Sequence, residues 1–210
     1  LAKVFGERIY SIKKFNFDYF SLDGSSQLIA KTGYSRIGGF EIYLSRPELG
    51  SSLWETILEA GRSENIRPGS PNIIDRVEAG LLSYGNEMTV ENTPLECNMD
   101  KFLDINKKAD YIGKKVLQRQ IRYGIKRRIR GVIYNGPKLP TISRPLQVFD
   151  IDKRTIVGSL TSGAFSPHFK RNIGVGMIRY GYWDNNKKIL VNIADQEFRE
   201  GLIKDLPLIQ

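Results

Sequence analysis

The sequence predicts an α+β protein: an antiparallel sheet with flanking helices, then a small domain built almost wholly of strands. Two observations carry this. Up to about residue 114, segments alternating with period two are interleaved with helical patterns, as in 15–20 against 53–60. From Ile125 onward, glycine-punctuated apolar segments follow one another closely, the pattern of a small barrel or sandwich. The change of character falls between Lys115 and Lys126, which gives two domains, 1–114 and 115–210.

The chain opens in helical pattern at 1–6 and without methionine, and this reads as a piece of a longer chain. Alternating aromatics at 15–20 predict a strand with one buried face, Asp23-Gly24-Ser25-Ser26 a turn, and 27–31 the next strand. Lys31-Thr32-Gly33-Tyr34-Ser35-Arg36-Ile37-Gly38-Gly39-Phe40-Glu41-Ile42-Tyr43 reads as a glycine-bracketed turn between two strands. Alternation puts Phe40 and Ile42 on one face and Glu41 and Tyr43 on the other. A serine cap, the stripe Leu53, Trp54, Ile57 and Leu58, and Gly61 predict a helix with Trp54 in the core. Arg67-Pro68-Gly69-Ser70-Pro71 breaks the chain, and Asn72 caps a helix over 73–82 that buries Ile73, Ile74, Val77 and Leu81. Residues 93–102 read as extended, with Cys97 a small buried residue. Asp110 caps a helix carrying Ile112, Val116, Leu117 and Ile121 that stops at Gly124. Strands are expected at 130–134, 146–150, 155–160, 172–178 and 188–193, with 137–145 a proline-rich link and 163–168 a loop.

Composition removes several function classes. A hydrophobic share of 40% against 26% charged residues is that of an ordinary globular protein. Nothing approaches the roughly 18 continuous apolar residues of a membrane helix, and no basic-then-apolar leader opens the chain; a cytoplasmic setting without membrane partners is expected. One cysteine and one histidine, Cys97 and His168, leave no material for a disulfide framework or a zinc site. The net charge of +9 favours an anionic partner. Arg119, Arg122, Lys126, Arg127, Arg128 and Arg130 form the densest basic cluster, but no recognition motif or aromatic platform accompanies it, so it reads as a solvated helix end and strand start rather than a nucleic-acid patch. Gly174-Val175-Gly176 lies inside a strand pattern and fails the context of a dinucleotide loop. Ser166 near His168 lacks an orienting acid. On its own, the 31–43 hairpin is a solvated turn with an incidental carboxylate.

Taken together, the motifs resemble the glycine cleavage T-protein, or aminomethyltransferase, family of tetrahydrofolate-dependent enzymes. The likeness rests on Thr32-Gly33-Tyr34 with Gly39-Phe40-Glu41-Ile42, Leu53-Trp54 with Leu58-Glu59-Ala60-Gly61, and Arg76-Val77-Glu78-Ala79-Gly80. It continues through Tyr84-Gly85-Asn86, Thr93-Pro94-Leu95-Glu96, Tyr111-Ile112-Gly113-Lys114, Lys126-Arg127-Arg128 and Thr161-Ser162-Gly163-Ala164-Phe165-Ser166-Pro167.

The resemblance implies that 1–114 is the returning half of a folate-binding lobe and 115–210 the family's carboxy-terminal β-barrel. It implies tetrahydrofolate as cofactor and a small one-carbon donor, or an aminomethyl-lipoyl carrier protein, as partner. The family's catalytic aspartate would lie upstream of Leu1, so no catalytic residue is assigned and turnover is not expected of this stretch alone. Glu41 matches the family's pterin-binding glutamate and Tyr34 the tyrosine that lines the ring. Three features depart from the pattern. Ser35-Arg36-Ile37 stands where the family usually has Thr-Gly-Glu, which marks Ser35 and Arg36 as substrate-selecting. Asn72 occupies the position of a folate-contacting arginine. The Ser-x-x-Gly-Gly-Phe-Glu turn and Pro71-Asn72 look more like the branch that demethylates dimethylsulfoniopropionate. A non-catalytic folate-binding module is the further alternative.

Overall fold

Asp23 and Gly24 both adopt positive φ, 48° and 72°, the backbone of the two-residue hairpin turn that matches strand twist. They join β1 (Phe17–Leu22) to β2 (Ser25–Ala30), and β3 (Glu41–Tyr43) adds to β2, giving an antiparallel sheet in the order β1-β2-β3. The computed structural model describes residues 1–34, 38–69 and 73–209. The chain divides into two units, Leu1–Asn72 and Ile73–Gln210.

In the first unit, one sheet face presents Phe20, Ile29 and Ile42 to Ile9 and Ile12, and Ala2, Phe5 and Phe40 pack around them. Ile9 lies in a 3-10 turn (Glu7–Ser11) that follows α1 (Ala2–Phe5). The aromatic alternation at 15–20 is real but faces the other way. Phe20 and Leu22 are buried, whereas Phe17 and Tyr19 point from the opposite face and are exposed. Phe15 precedes the strand at φ 63°. α2 (Gly50–Ala60) begins before the expected serine cap and follows a 3-10 turn, Pro47–Leu49. Leu53 is its buried residue, with Ile57 and Leu58 half-buried; Trp54, one step around the helix from Leu53, is 53% exposed rather than in the core.

In the second unit, six strands close a barrel in the order β4-β7-β6-β5-β8-β9: β4 (Arg127–Tyr134), β5 (Leu146–Phe149), β6 (Ile156–Ser166), β7 (Arg171–Arg179), β8 (Lys188–Ala194) and β9 (Glu197–Lys204). Val132, Tyr134, Val148, Val157, Leu160, Ile178, Ile189, Val191 and Ile203 fill it. Two expectations are corrected. Residues 163–166, the first part of the expected 163–168 loop, continue β6 instead, because they pair with Arg171–Gly174 of β7. β9 lies beyond the last expected strand; its charged residues obscure the alternation, yet it pairs with both β4 and β8. Gly176 sits opposite Leu160 at a close approach of β6 and β7, where an added Cβ would lie 2.7 Å from the Leu160 Cα and would overlap the Ser159 carbonyl oxygen. The Gly-Val-Gly sequence is therefore a strand-packing feature.

α3 (Ile73–Glu78) packs on β6 and β7. It is shorter than expected because Gly80, at φ 66°, reverses the chain, and the Leu81 N–H bonds back to the Arg76 carbonyl at 3.0 Å. Arg76 is held on every side. Its guanidinium donates to Glu87 at 2.9 and 3.3 Å, to the Leu81 carbonyl at 2.8 Å and to Ser162 Oγ of β6 at 2.6 Å. Glu78 accepts from Ser166 Oγ, and its backbone carbonyl accepts from the Leu208 N–H at 2.8 Å. Residues 93–102 are turns, not extended: the Cys97 and Met99 N–H groups return to the Thr93 and Pro94 carbonyls at 3.1 and 2.9 Å. α4 (Lys114–Tyr123) starts after Gly113 at φ 86°, not at Asp110, whose carboxylate accepts from the Tyr111 N–H. Only Leu117 of its expected stripe is buried; Ile112, Val116 and Ile121 are exposed.

Gly176→Ala should destabilise the second unit by about 1–3 kcal/mol, seen as a lower urea midpoint. Glu87→Ala strands a buried guanidinium and should reduce stability by about 3–5 kcal/mol in the same measurement.

Candidate functional site

Glu41 opens β3, one residue beyond the glycine pair Gly38 and Gly39, whose φ angles of 98° and 148° exclude most residues with a Cβ. The loop ends lie close together: a Cβ on Gly33 would stand 3.6 Å from the Gly38 carbonyl oxygen. β2–β3 register sets Glu41 opposite Ala30, and β1–β2 register sets Ala30 opposite Phe17. One step along, Tyr19, Leu28 and Tyr43 form the neighbouring row on the same face. Alternation thus puts Glu41 and Tyr43 together, as expected, and the sheet adds Phe17 and Tyr19, which sequence reasoning missed. Phe17 and Tyr19 meet edge-to-face at 5.9 Å. The signal was available only through cross-strand register, which a single strand does not reveal.

The Glu41 carboxylate is exposed, and Thr32 Oγ donates to its Oε2. That contact orients the group while leaving most of its lone-pair positions free. Tyr34 lies on the same loop and is half exposed. Ser35, Arg36 and Asn72, the other sequence-derived site residues, lie outside the described residues.

Competing centres do not assemble. Ser166 is fully buried, bonds to Glu78 and accepts from the Phe169 N–H at 3.0 Å, while the exposed His168 ring packs edge-on to Phe169. Burial first, and the neighbouring Glu96 carboxylate second, push the Cys97 thiol up to about 11, so it stays protonated and unreactive at neutral pH. Among the described residues no group of three His, Cys, Asp or Glu side chains could hold a metal, and no helix is long and apolar enough to cross a membrane. In the basic cluster, Arg127, Arg128 and Arg130 pair with Glu96, Asp100 and Asp205 at 3.2, 2.6 and 2.9 Å.

Comparison with known proteins agrees with the motif order. The family model for the GCVT N-terminal domain matches residues 1–107, and that for the glycine cleavage T-protein C-terminal barrel domain matches 127–206. The dimethylsulfoniopropionate demethylase DmdA of Ruegeria pomeroyi is 40% identical over 87% of this chain and 49% of its own length. Aminomethyltransferases of Geobacillus sp. and Caldanaerobacter subterraneus are 33% and 35% identical over 97% of this chain and 55% and 54% of theirs. The crystal structure of aminomethyltransferase T from Bartonella henselae superposes with a TM-score of 0.77 at 21% identity, over 95% of this chain and 54% of that one, a likeness of fold. The chain spans about half the length of these relatives. It belongs to the glycine cleavage T-protein, or aminomethyltransferase, family.

Proposed function

We propose that the protein acts in tetrahydrofolate-dependent one-carbon transfer, with Glu41 as the anchor of the pterin and Tyr34 beside the ring. The observation that carries this reading is the Glu41 carboxylate: exposed, steadied by Thr32, and standing on a sheet face of aromatic rings. The fit is chemical. A pterin edge offers an amino group and a ring N–H side by side, and a carboxylate accepts both in parallel bonds stronger than neutral ones. Ala30 beside Glu41 adds no bulk, while Tyr43 and Phe17 supply apolar surface on the same face. When bound, tetrahydrofolate would supply the ring nitrogen that takes up the one-carbon unit. The chain's own contribution is to hold and orient that ring; no residue of 1–210 is assigned a proton-transfer role.

The domain assignment follows the same reading: 1–114 as the returning half of the folate lobe and 115–210 as the barrel domain. The segment between the two family-model matches, 108–126, supports a boundary there. Packing divides the chain earlier, at 72/73, because α3 and the turns after it pack with the barrel strands.

A second reading concerns the donor. The 40% identity to a dimethylsulfoniopropionate demethylase exceeds the 33–35% to the aminomethyltransferases compared. Together with Ser35, Arg36 and Asn72, it favours methyl transfer from a sulfonium over the aminomethyl-lipoyl carrier.

Glu41→Ala should weaken tetrahydrofolate binding by at least about 2 kcal/mol, roughly thirtyfold, in calorimetry on the full-length protein; unchanged affinity removes Glu41 as the anchor. The full-length protein given tetrahydrofolate and dimethylsulfoniopropionate should form methylated folate. Product from the aminomethyl-lipoyl carrier alone returns the donor to the aminomethyltransferase type, and folate binding without transfer from either donor identifies a binding module.

A further inference from the structure

We propose that the cleft between α4 and the adjoining ends of β4 and β7 binds a phosphate-borne nucleobase, either as a free nucleotide or as one unit of single-stranded nucleic acid. The cleft, about 1140 Å³, is framed by Arg119, Gln120 and Tyr123 of α4, Lys126 and Arg127 at the start of β4, and Arg179 and Tyr180 at the end of β7. It lies wholly within the second unit, whereas Glu41 belongs to the first.

Two features point to this ligand class. The first is uncompensated charge. Arg127 and Arg179 stand directly opposite each other across β4 and β7, a like-charge pairing that disfavours the sheet unless an anion relieves it. The cleft's single carboxylate, Glu96, serves Arg127 at 3.2 Å and also accepts from the Thr93 N–H. Among the described residues Arg179 donates only to the Ile156 carbonyl, and Arg119 and Lys126 have no carboxylate within ion-pair distance. The second is an aromatic platform. Tyr123 and Tyr180 are 73% and 72% exposed, and Trp183 supports the Tyr180 ring edge-to-face at 5.1 Å. The Tyr180 N–H bonds to the Lys126 carbonyl at 2.8 Å, so a cation and a ring adjoin on one rim.

Cations alone would take any anion. Rings beside unpaired cations are the features of sites that stack a base and track its phosphate. The basic cluster reads in sequence as lacking a platform because Tyr180 lies far along the chain from Tyr123; the β4–β7 pairing brings them to one cleft.

The test is fluorescence anisotropy of the full-length protein with a labelled oligouridylate of roughly eight nucleotides, alongside calorimetry with uridine monophosphate. Saturable binding is expected, weakened at least about tenfold by Arg119→Glu with Lys126→Glu, and weakened further between about 50 and 200 mM salt. Tyr180→Ala should lower affinity at least about fivefold without changing the salt slope. Equal per-phosphate binding of the mononucleotide assigns the site to a free nucleotide, and stronger oligomer binding to a strand; either supports the proposal. Absence of saturable binding to both probes overturns it. So does an equal loss from Lys153→Glu with Lys188→Glu on another part of the barrel, since net charge alone would then explain the affinity. Circular dichroism of each variant confirms folding.

Discussion

The buried Arg76–Glu87 ion pair is the contact on which the second unit depends. A guanidinium removed from water is tolerated only when its donors are satisfied, and here Glu87, the Leu81 carbonyl and Ser162 accept from it. The arrangement needs α3 to stop where it does. Gly80 turns the chain so that the Leu81 carbonyl reaches Arg76 and Glu87 returns beneath it, and Ser83 N–H caps Glu87 at 2.6 Å. Ser166, four residues along β6 from Ser162, donates in turn to Glu78, two residues after Arg76, and the C-terminal strap joins through Leu208. Most residues of the Arg-Val-Glu-Ala-Gly motif and of Ser162–Ser166, which carry the family likeness, therefore serve packing between a helix and the barrel.

The carboxylate proposed to anchor the pterin is set apart from this. Glu41 stands in the other unit on a short strand, where its neighbours across the sheet, and not its sequence neighbours, decide its surroundings. The inner face of that sheet is committed to Ile9, Ile12, Phe20 and Ile29. The outer face is thereby free to carry a carboxylate among rings. Large exposed aromatics confined to one face are what a ligand-bearing or partner-bearing surface requires.

Much of this was legible in the sequence where a local rule decided the outcome. The Asp-Gly turn, the opposite facing of Phe40 and Glu41 and the run of barrel strands follow from turn chemistry and period-two alternation. Elements settled by non-local contacts were not. Trp54 belongs by composition to an apolar stripe, yet the phase of α2 is fixed by Leu53 and Ile57. Ile112, Val116 and Ile121 look like a core face, but only Leu117 finds a partner surface. β9 carries charges through its length and is a strand because β4 and β8 both need an edge partner to close the barrel. Tyr34 and Glu41 are singled out as proposed site residues only through the ordered motifs, since nothing in a lone hairpin distinguishes a ligand-binding carboxylate from a solvated one.

The central claim is that the Glu41 carboxylate reads the amino and N–H edge of a pterin. A double cycle tests it most directly: affinities of the full-length protein and its Glu41→Gln variant for a tetrahydrofolate analogue with and without the ring amino group. The account predicts that deleting the amino group weakens binding to the unaltered protein and has little further effect in the variant, a coupling of about 1 kcal/mol or more. Equal losses in both proteins would contradict it.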